Sequence, residues 1–334
     1  MSYGQEGHGD SHAADEPKKD QKTEIKEYIQ HHLQDSYDFG LFSWVNNSGE
    51  HKHFGFPLPV ILWDNGLKVF SSSKFHHGET VAEVDGSYYK VHHAKIYKVD
   101  GPNGEIIEDE HHHATNEKPL DFSITKNVAL IFMVFAILFF MFSRMAKSYK
   151  KNNGLPTGTG RLLEPIVLYV RDEIAIPNIG EKHYKRYMSY LLTVFFFVWI
   201  VNLFGLTPIG MNLTNNIAVT FSLAIITYLI TTFSGNANYW KHIFWMPGVP
   251  VPMKIILAPI ELLGTFIKPF ALMIRLYANI TAGHIVLMSI IGMMFVFNNW
   301  IGSSLSFLLA FVLGILELLV AALQAYIFTV LSAL

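Results

Sequence analysis

Cysteine is absent from all 334 residues, so disulfides and thiolate chemistry are excluded, while the compartment stays open. Charge is scarce, at 16% of residues against about 25% in ordinary globular domains. Beyond Arg186 there is no aspartate, and the only formal charges are Lys241, Lys254, Glu261, Lys268, Arg275 and Glu317. The net charge of −2 gives no excess of positive charge for a nucleic acid partner. An apolar core segment is missing from MSYGQEGHGDSHAADEPKKD, so nothing there reads as a secretory signal.

What the chain has instead is apolar residues, 51% of the total, concentrated after residue 127. VALIFMVFAILFFMFSRM (128–145) is long enough for a first span, and Arg144, Lys147, Lys150 and Lys151 place its C-terminal end in the cytoplasm. The preceding residues would then lie outside, which normally needs a signal. The expectation is that the chain lacks a cleaved leader or that the leader is missing from this sequence. RLLEPIVLYVRDEIAIPNIG is too charged to span and reads as an interfacial helix over 161–176. Further spans are expected over 188–206 and 217–233, joined outside by TPIGMNLTNN. The stretches 254–295 and 301–334 are longer, about 60 and 50 Å as helices against a hydrocarbon core of about 30 Å. They predict a long, steeply tilted helical hairpin. The alternative is that Pro259 or Pro269 ends one helix and starts another.

Ahead of the spans, PVILWDNGLKVFSSS places a hairpin turn at Asp64-Asn65-Gly66, and EVDGSYYKVHHAKIYKVDGPNG repeats the strand–turn pattern. About four strands are expected. The organisation is then a disordered His-rich segment over 1–53, a small β-rich extracytoplasmic domain and acidic linker over 54–125, and a membrane domain over 126–334. Thirteen of the sixteen histidines precede residue 121, many in adjacent pairs. Neighbouring residues on a strand point to opposite faces, and zinc-type ligand spacing is lacking, so the reading is a solvated surface with no metal and no cofactor. The fold class is an all-α polytopic membrane protein with a long tilted helical hairpin and a small β-rich N-terminal extramembrane domain.

The chemistry lies in the hairpin. A charge at bilayer depth costs roughly 2.5–3.5 kcal/mol on insertion scales and usually marks an ion or proton path. Glu261, Lys268 and Arg275 recur every seven residues on one slowly drifting stripe. Arg275 keeps its charge under all conditions, and Asn279 shares its face. A hairpin turning at Asn298–Asn299 would bring His284 near Glu317, with Gln324 two turns further on. A carboxylate and an imidazole in reach of each other make a proton relay. The competing reading has Arg275 paired internally with Glu261 or Glu317, only holding helices together.

RLYANITAGH (275–284), with Glu317 and LQAYIF (323–328), resembles subunit a of the F-type ATP synthase; the likeness covers about 128–334. The resemblance implies a non-catalytic proton channel subunit in a bacterial inner (plasma) membrane, packed against a ring of c subunits and a b-subunit peripheral stalk. Other synthase subunits and membrane lipid would be its remaining partners, with no nucleic acid. Arg275 matches the stator arginine. Asn202 (in VNLFGLTP), Asn279, His284, Glu317 and Gln324 match access-channel positions, and Glu261 matches a carboxylate of the opposite exit. The His284/Glu317 order resembles the mitochondrial one. Gly205 departs from the acidic residue common three positions after Asn202 in bacterial members. The chain stops within what should be the final helix, which implies a clipped C-terminus, and the His-rich extension lies outside the family core. Two other classes remain in view. A secondary transporter with an intramembrane arginine substrate site would predict an inverted repeat, and none is visible. A membrane-anchored metal sensor would be built on the N-terminal histidines.

Overall fold

A computed structural model describes residues 35–45, 51–78, 80–109, 114–152, 155, 157–207, 213, 216–235, 237–245, 248, 250–296 and 300–333. The segment 1–34, the His111–His113 run, most of TPIGMNLTNN and the Asn298–Asn299 turn lie outside them.

Among the described residues, eight strands form the N-terminal part. Strands β1 (Asp38–Val45) and β2 (His51–Pro57) pair antiparallel. A second sheet runs β4 (Leu67–Ser71), β3 (Pro59–Trp63), β8 (Leu120–Asp121), and a third runs β5 (Ala82–Val84), β6 (Ser87–His92), β7 (Lys95–Val99). The turn read at Asp64-Asn65-Gly66 joins β3 to β4, with Trp63 opposite Leu67. Strand structure opens earlier than residue 54 and is richer than four strands. The reason is local: a register shift between Gly40 and Phe42 breaks the two-residue alternation by which β1 would be recognised. Gly55 allows the β1–β2 approach, because a Cβ there would lie 2.6 Å from the Phe39 carbonyl oxygen.

The β region's core is Val60, Leu62, Phe70, Phe75, Tyr89 and Ile96 with their neighbours. A buried polar knot crosses it. Asp64 accepts from the Tyr89 hydroxyl at 2.8 Å and pairs with Lys98 Nζ at 2.9 Å. The Lys98 and Tyr89 hydrogen bonds together hold the Asp64 carboxyl below its usual range, and the Asp64 bond holds the Lys98 ammonium above its own.

Among the described residues, five helices are long and apolar enough to cross a membrane. The first, α1 (Lys126–Lys151), starts against the β region: its Lys126 and Asn127 N–H groups donate to the Ser36 carbonyl and the Asp35 carboxylate. Those are two of the four donors a helix start leaves unpaired. Phe39 of β1 joins the same core cluster as Leu130, Val134 and Leu138 of α1. The segment read as interfacial forms α2 (Thr159–Tyr169), a π turn over Val170–Ala175, and α3 (Ile176–Ile179). Pro177 has no N–H for the carbonyl four residues back, and the ladder loosens into the wider register just ahead of it. Val170, Ile174 and Ala175 are fully buried in the helical core.

The remaining long helices are α4 (Tyr184–Gly205), α5 (Ile217–Ser234), α7 (Val251–Val296) and α8 (Trp300–Ala333); the short α6 (Ala237–Phe244) lies between α5 and α7. Pro259 and Pro269 both lie inside α7, which runs on through 46 residues. At 1.5 Å per residue α7 extends about 69 Å and α8 about 51 Å. The helix that might have ended at a proline does not, because α5 and α8 pack along it. Helix α8 also packs on α4, so the hairpin is clamped between α4 and α5.

Candidate functional site

The helical packing sorts the seven residues singled out in the sequence. On α4, Leu191, Val194, Phe195, Val198, Val201, Asn202 and Gly205 recur every three or four residues and form the buried stripe. Asn202 lies near its end, fully buried, with neither its amide nitrogen nor its oxygen hydrogen-bonded to a described residue. On α8 the buried stripe is Glu317, Ala321, Gln324, Ala325, Phe328 and Ser332, so both polar groups point into the protein. On α7 the buried positions include Thr265, Leu272, Leu276, Ile280 and His284.

Arg275 and His284 are nine residues apart, which at 100° per residue is two and a half turns and places them on opposite sides of α7. His284 is buried, and Arg275 and Asn279 lie exposed on the outer face. Arg275 forms no ion pair with any described residue, so the alternative of an internal bond to Glu261 or Glu317 is not realised. Ile267 and Ile274 of α7 are more than half exposed as well. Glu261 is half-buried, fourteen residues or about 21 Å down the same helix, and Thr265 donates to its carbonyl oxygen at 3.0 Å. Lys268 is exposed.

Register in the hairpin is fixed by one close contact. The Glu317 carboxylate lies against Gly283, so that a Cβ on Gly283 would stand 3.0 Å from Glu317 Cδ and 3.1 Å from Cγ, with Oε1 nearer still. Gly283 and Glu317 are each seventeen residues from position 300, so the hairpin is symmetric about Trp300. Glycine at 283 is therefore what admits a carboxylate between α7 and α8, one residue from His284. Glu317 Oε2 is buried and has no hydrogen bond to a described residue. Chemically, this is an acid beside an imidazole-bearing segment, both inside the protein, with a permanent cation on the far face.

Several contributors were not singled out in the sequence. Thr220 and Thr227, both buried on α5, are seven residues apart on a helix otherwise apolar at those positions, and Tyr190 of α4 donates to Thr227 at 2.8 Å. The seven-residue spacing was the available signal. Gly283 stands in the RLYANITAGH motif, but its close approach to Glu317, 34 positions away, is visible only in the fold.

Fold and site together define a multi-pass membrane protein whose helical hairpin buries an acid and an imidazole and exposes an arginine that pairs with no described residue. Residues 128–334 match the family profile described as ATP synthase A chain, and the chain belongs to that family. Residues 28–122 match a second profile, described as a domain of unknown function. Similar proteins include "ATP synthase subunit a" of Chloroherpeton thalassium, 43% identical over 64% of this chain and 66% of its own length. "ATP synthase subunit a 2" of Chlorobaculum tepidum is 43% identical over 64% and 62%. "ATP synthase subunit a" of an Anaeromyxobacter species is 40% identical over 72% and 62%. The chain thus spans less than two thirds of each of these relatives.

Proposed function

We propose that this chain is the proton-translocating, non-catalytic stator subunit of the membrane sector of an F-type ATP synthase. It would offer two offset half-channels to a ring of c subunits. The observation that carries the reading is the division of polar groups. Asn202, His284, Glu317 and Gln324 are buried, whereas Arg275 stands exposed and without an ion pair to any described residue. A group left buried without a partner costs about 1–3 kcal/mol. The bare Asn202 amide and Glu317 oxygen are therefore expected to take water, which a half-channel supplies.

A proton enters from the extracytoplasmic side past Asn202 and Gln324, is exchanged by His284 and Glu317, and neutralises a carboxylate on the ring. That carboxylate can then face lipid without the cost of a bare charge. After rotation, another carboxylate releases its proton near Glu261 and meets Arg275, with Asn279 beside it. The Arg275 charge repels protons and blocks direct passage between the two half-channels. Each proton crossing releases about 2.3 kcal/mol per 100 mV. The partners are the c-ring, the b-subunit peripheral stalk, other synthase subunits and lipid. The site is a bacterial plasma membrane with the β region outside.

The test is ATP-driven proton pumping by the assembled complex in proteoliposomes. Arg275→Ala is expected to abolish it, and so is Arg275→Lys, because a planar fixed charge is not replaced by an ammonium. Pumping retained by Arg275→Ala would remove the role assigned to this residue.

A further inference from the structure

We propose that the tip of the β6–β7 hairpin is a divalent metal site, with His92, His93 and Glu108 supplying two imidazole nitrogens and a carboxylate oxygen to a zinc-type ion. The site lies in the β region and stands independently of the proton path. It departs from the expectation of no metal, and the reason is geometric. Adjacent histidines on a strand diverge to opposite faces. His93, however, is not in strand conformation: its φ is +45° and that of Ala94 is +57°. These two left-handed residues reverse the chain between β6 and β7, and the His93 ring swings to within 4.1 Å of the His92 ring, centre to centre. Left-handed backbone is uncommon for residues other than glycine, with histidine among the better tolerated and alanine not.

The third ligand comes from a separate segment. Glu108 is positioned by an antiparallel bridge to Ala114, by the Thr115 N–H and hydroxyl donating to the Ile107 carbonyl at 2.8 and 2.9 Å, and by the Ile107 N–H donating to Asn116 Oδ1 at 2.7 Å. One donor atom from each of the three side chains falls within 4.8 Å of the others. A tetrahedral ion with bonds of about 2.0–2.2 Å holds its ligand atoms roughly 3.3–3.5 Å apart. The His92 Nε2–Glu108 Oε1 edge is already 3.2 Å. The other edges close by rotation of partly exposed side chains at a hairpin tip. His92 Nε2 is shielded from solvent, yet its contact with Glu108 lacks hydrogen-bond geometry. Two groups that close without pointing at each other are placed to point at a common third atom. Imidazole with carboxylate suits zinc and its first-row neighbours better than calcium or magnesium, and three protein ligands leave a fourth position for water.

The experiment uses the full chain in detergent, with Co²⁺ as the spectroscopic probe and Zn²⁺ as competitor. The expected result is a set of intense visible bands of a four-coordinate ion, displaced by one equivalent of Zn²⁺. His93→Asn keeps a residue that accepts the left-handed turn but removes the ligand, and Glu108→Gln is isosteric. Each is expected to remove that signal and lower the bound ion count by one, with the far-ultraviolet circular dichroism unchanged. His76→Ala is expected to leave the signal intact. Wild-type chain without the four-coordinate bands, or bands that persist in both His93→Asn and Glu108→Gln, would overturn the proposal. The second outcome would assign the ion to other histidines.

Discussion

Gly283→Ala tests the hairpin interior at its tightest point. The added methyl would stand 3.0 Å from Glu317 Cδ and 3.1 Å from Cγ, and closer still to Oε1. Ordinary van der Waals contact begins near 3.4 Å, so the carboxylate has to move by something like 1 Å. Overpacking of this kind costs typically about 1–3 kcal/mol. If Glu317 exchanges protons as proposed, its displacement by about 1 Å is able to slow transfer by about 10²-fold, equivalent to about 2.7 kcal/mol at 1.36 kcal/mol per decade. The assay is ATP-driven acidification of vesicles holding the assembled complex, normalised to the amount of this chain in the membrane. Gly314→Ala on α8 is the comparison, because a methyl there meets nothing within 4 Å in this chain. Gly283→Ala should assemble and pump at least ten-fold more slowly, whereas Gly314→Ala should assemble normally. Shortening the acid as well, in Gly283→Ala with Glu317→Asp, should recover part of the loss, a non-additivity expected only of residues in contact. Gly283→Ala vesicles that pump at the wild-type rate would refute the claim that the position of Glu317 matters.

Two further outcomes are expected. Asn202→Leu replaces a fully buried amide that has no hydrogen bond to a described residue by an apolar side chain of similar size, so thermal resistance in detergent should hold or rise while proton transport by the complex falls; unchanged transport would take Asn202 off the path. In the β region, Asp64 has a folded-state pKa below its ordinary 3.8, so its stabilising contribution is complete above that value and is lost as pH falls through the depressed one. Acid unfolding of this region should therefore steepen below about pH 4, and Asp64→Asn should flatten that limb. The Lys98 half of the pair runs the other way, contributing below the ordinary lysine value of 10.5 and fading as pH rises through its elevated one.

The hairpin was legible because its two apolar runs are far too long for a perpendicular crossing, a matter of length alone. Whether Pro259 or Pro269 broke the first helix was not legible. A proline inside a membrane helix is tolerated when neighbouring helices support it, and α5 and α8 supply that support through contacts remote in sequence. The opposition of Arg275 and His284 was available from their nine-residue spacing. The placing of Glu317 beside Gly283 was not, because the expected turn at Asn298–Asn299 put His284 fourteen residues back and Glu317 eighteen on, about three residues out of step with the seventeen-and-seventeen register observed. Strand β1 was hidden by its bulge, and the approach of His92 to His93 by a left-handed turn at His93-Ala94 that contains no glycine.

The outer face of the hairpin also bears on how the chain is made. Ile267, Phe270 and Ile274 on α7, and Phe311, Ile315 and Leu319 on α8, are each more than half exposed, and Arg275 is exposed on the same hairpin. A bilayer accepts such a strip except at its one ineradicable cation, and a passing hydrophobic chain accepts it no better. A copy released without a fitting acidic neighbour is thus an orphan with no comfortable solvent. Cells should match its synthesis to that neighbour's supply, and surplus copies should be degraded quickly rather than stored.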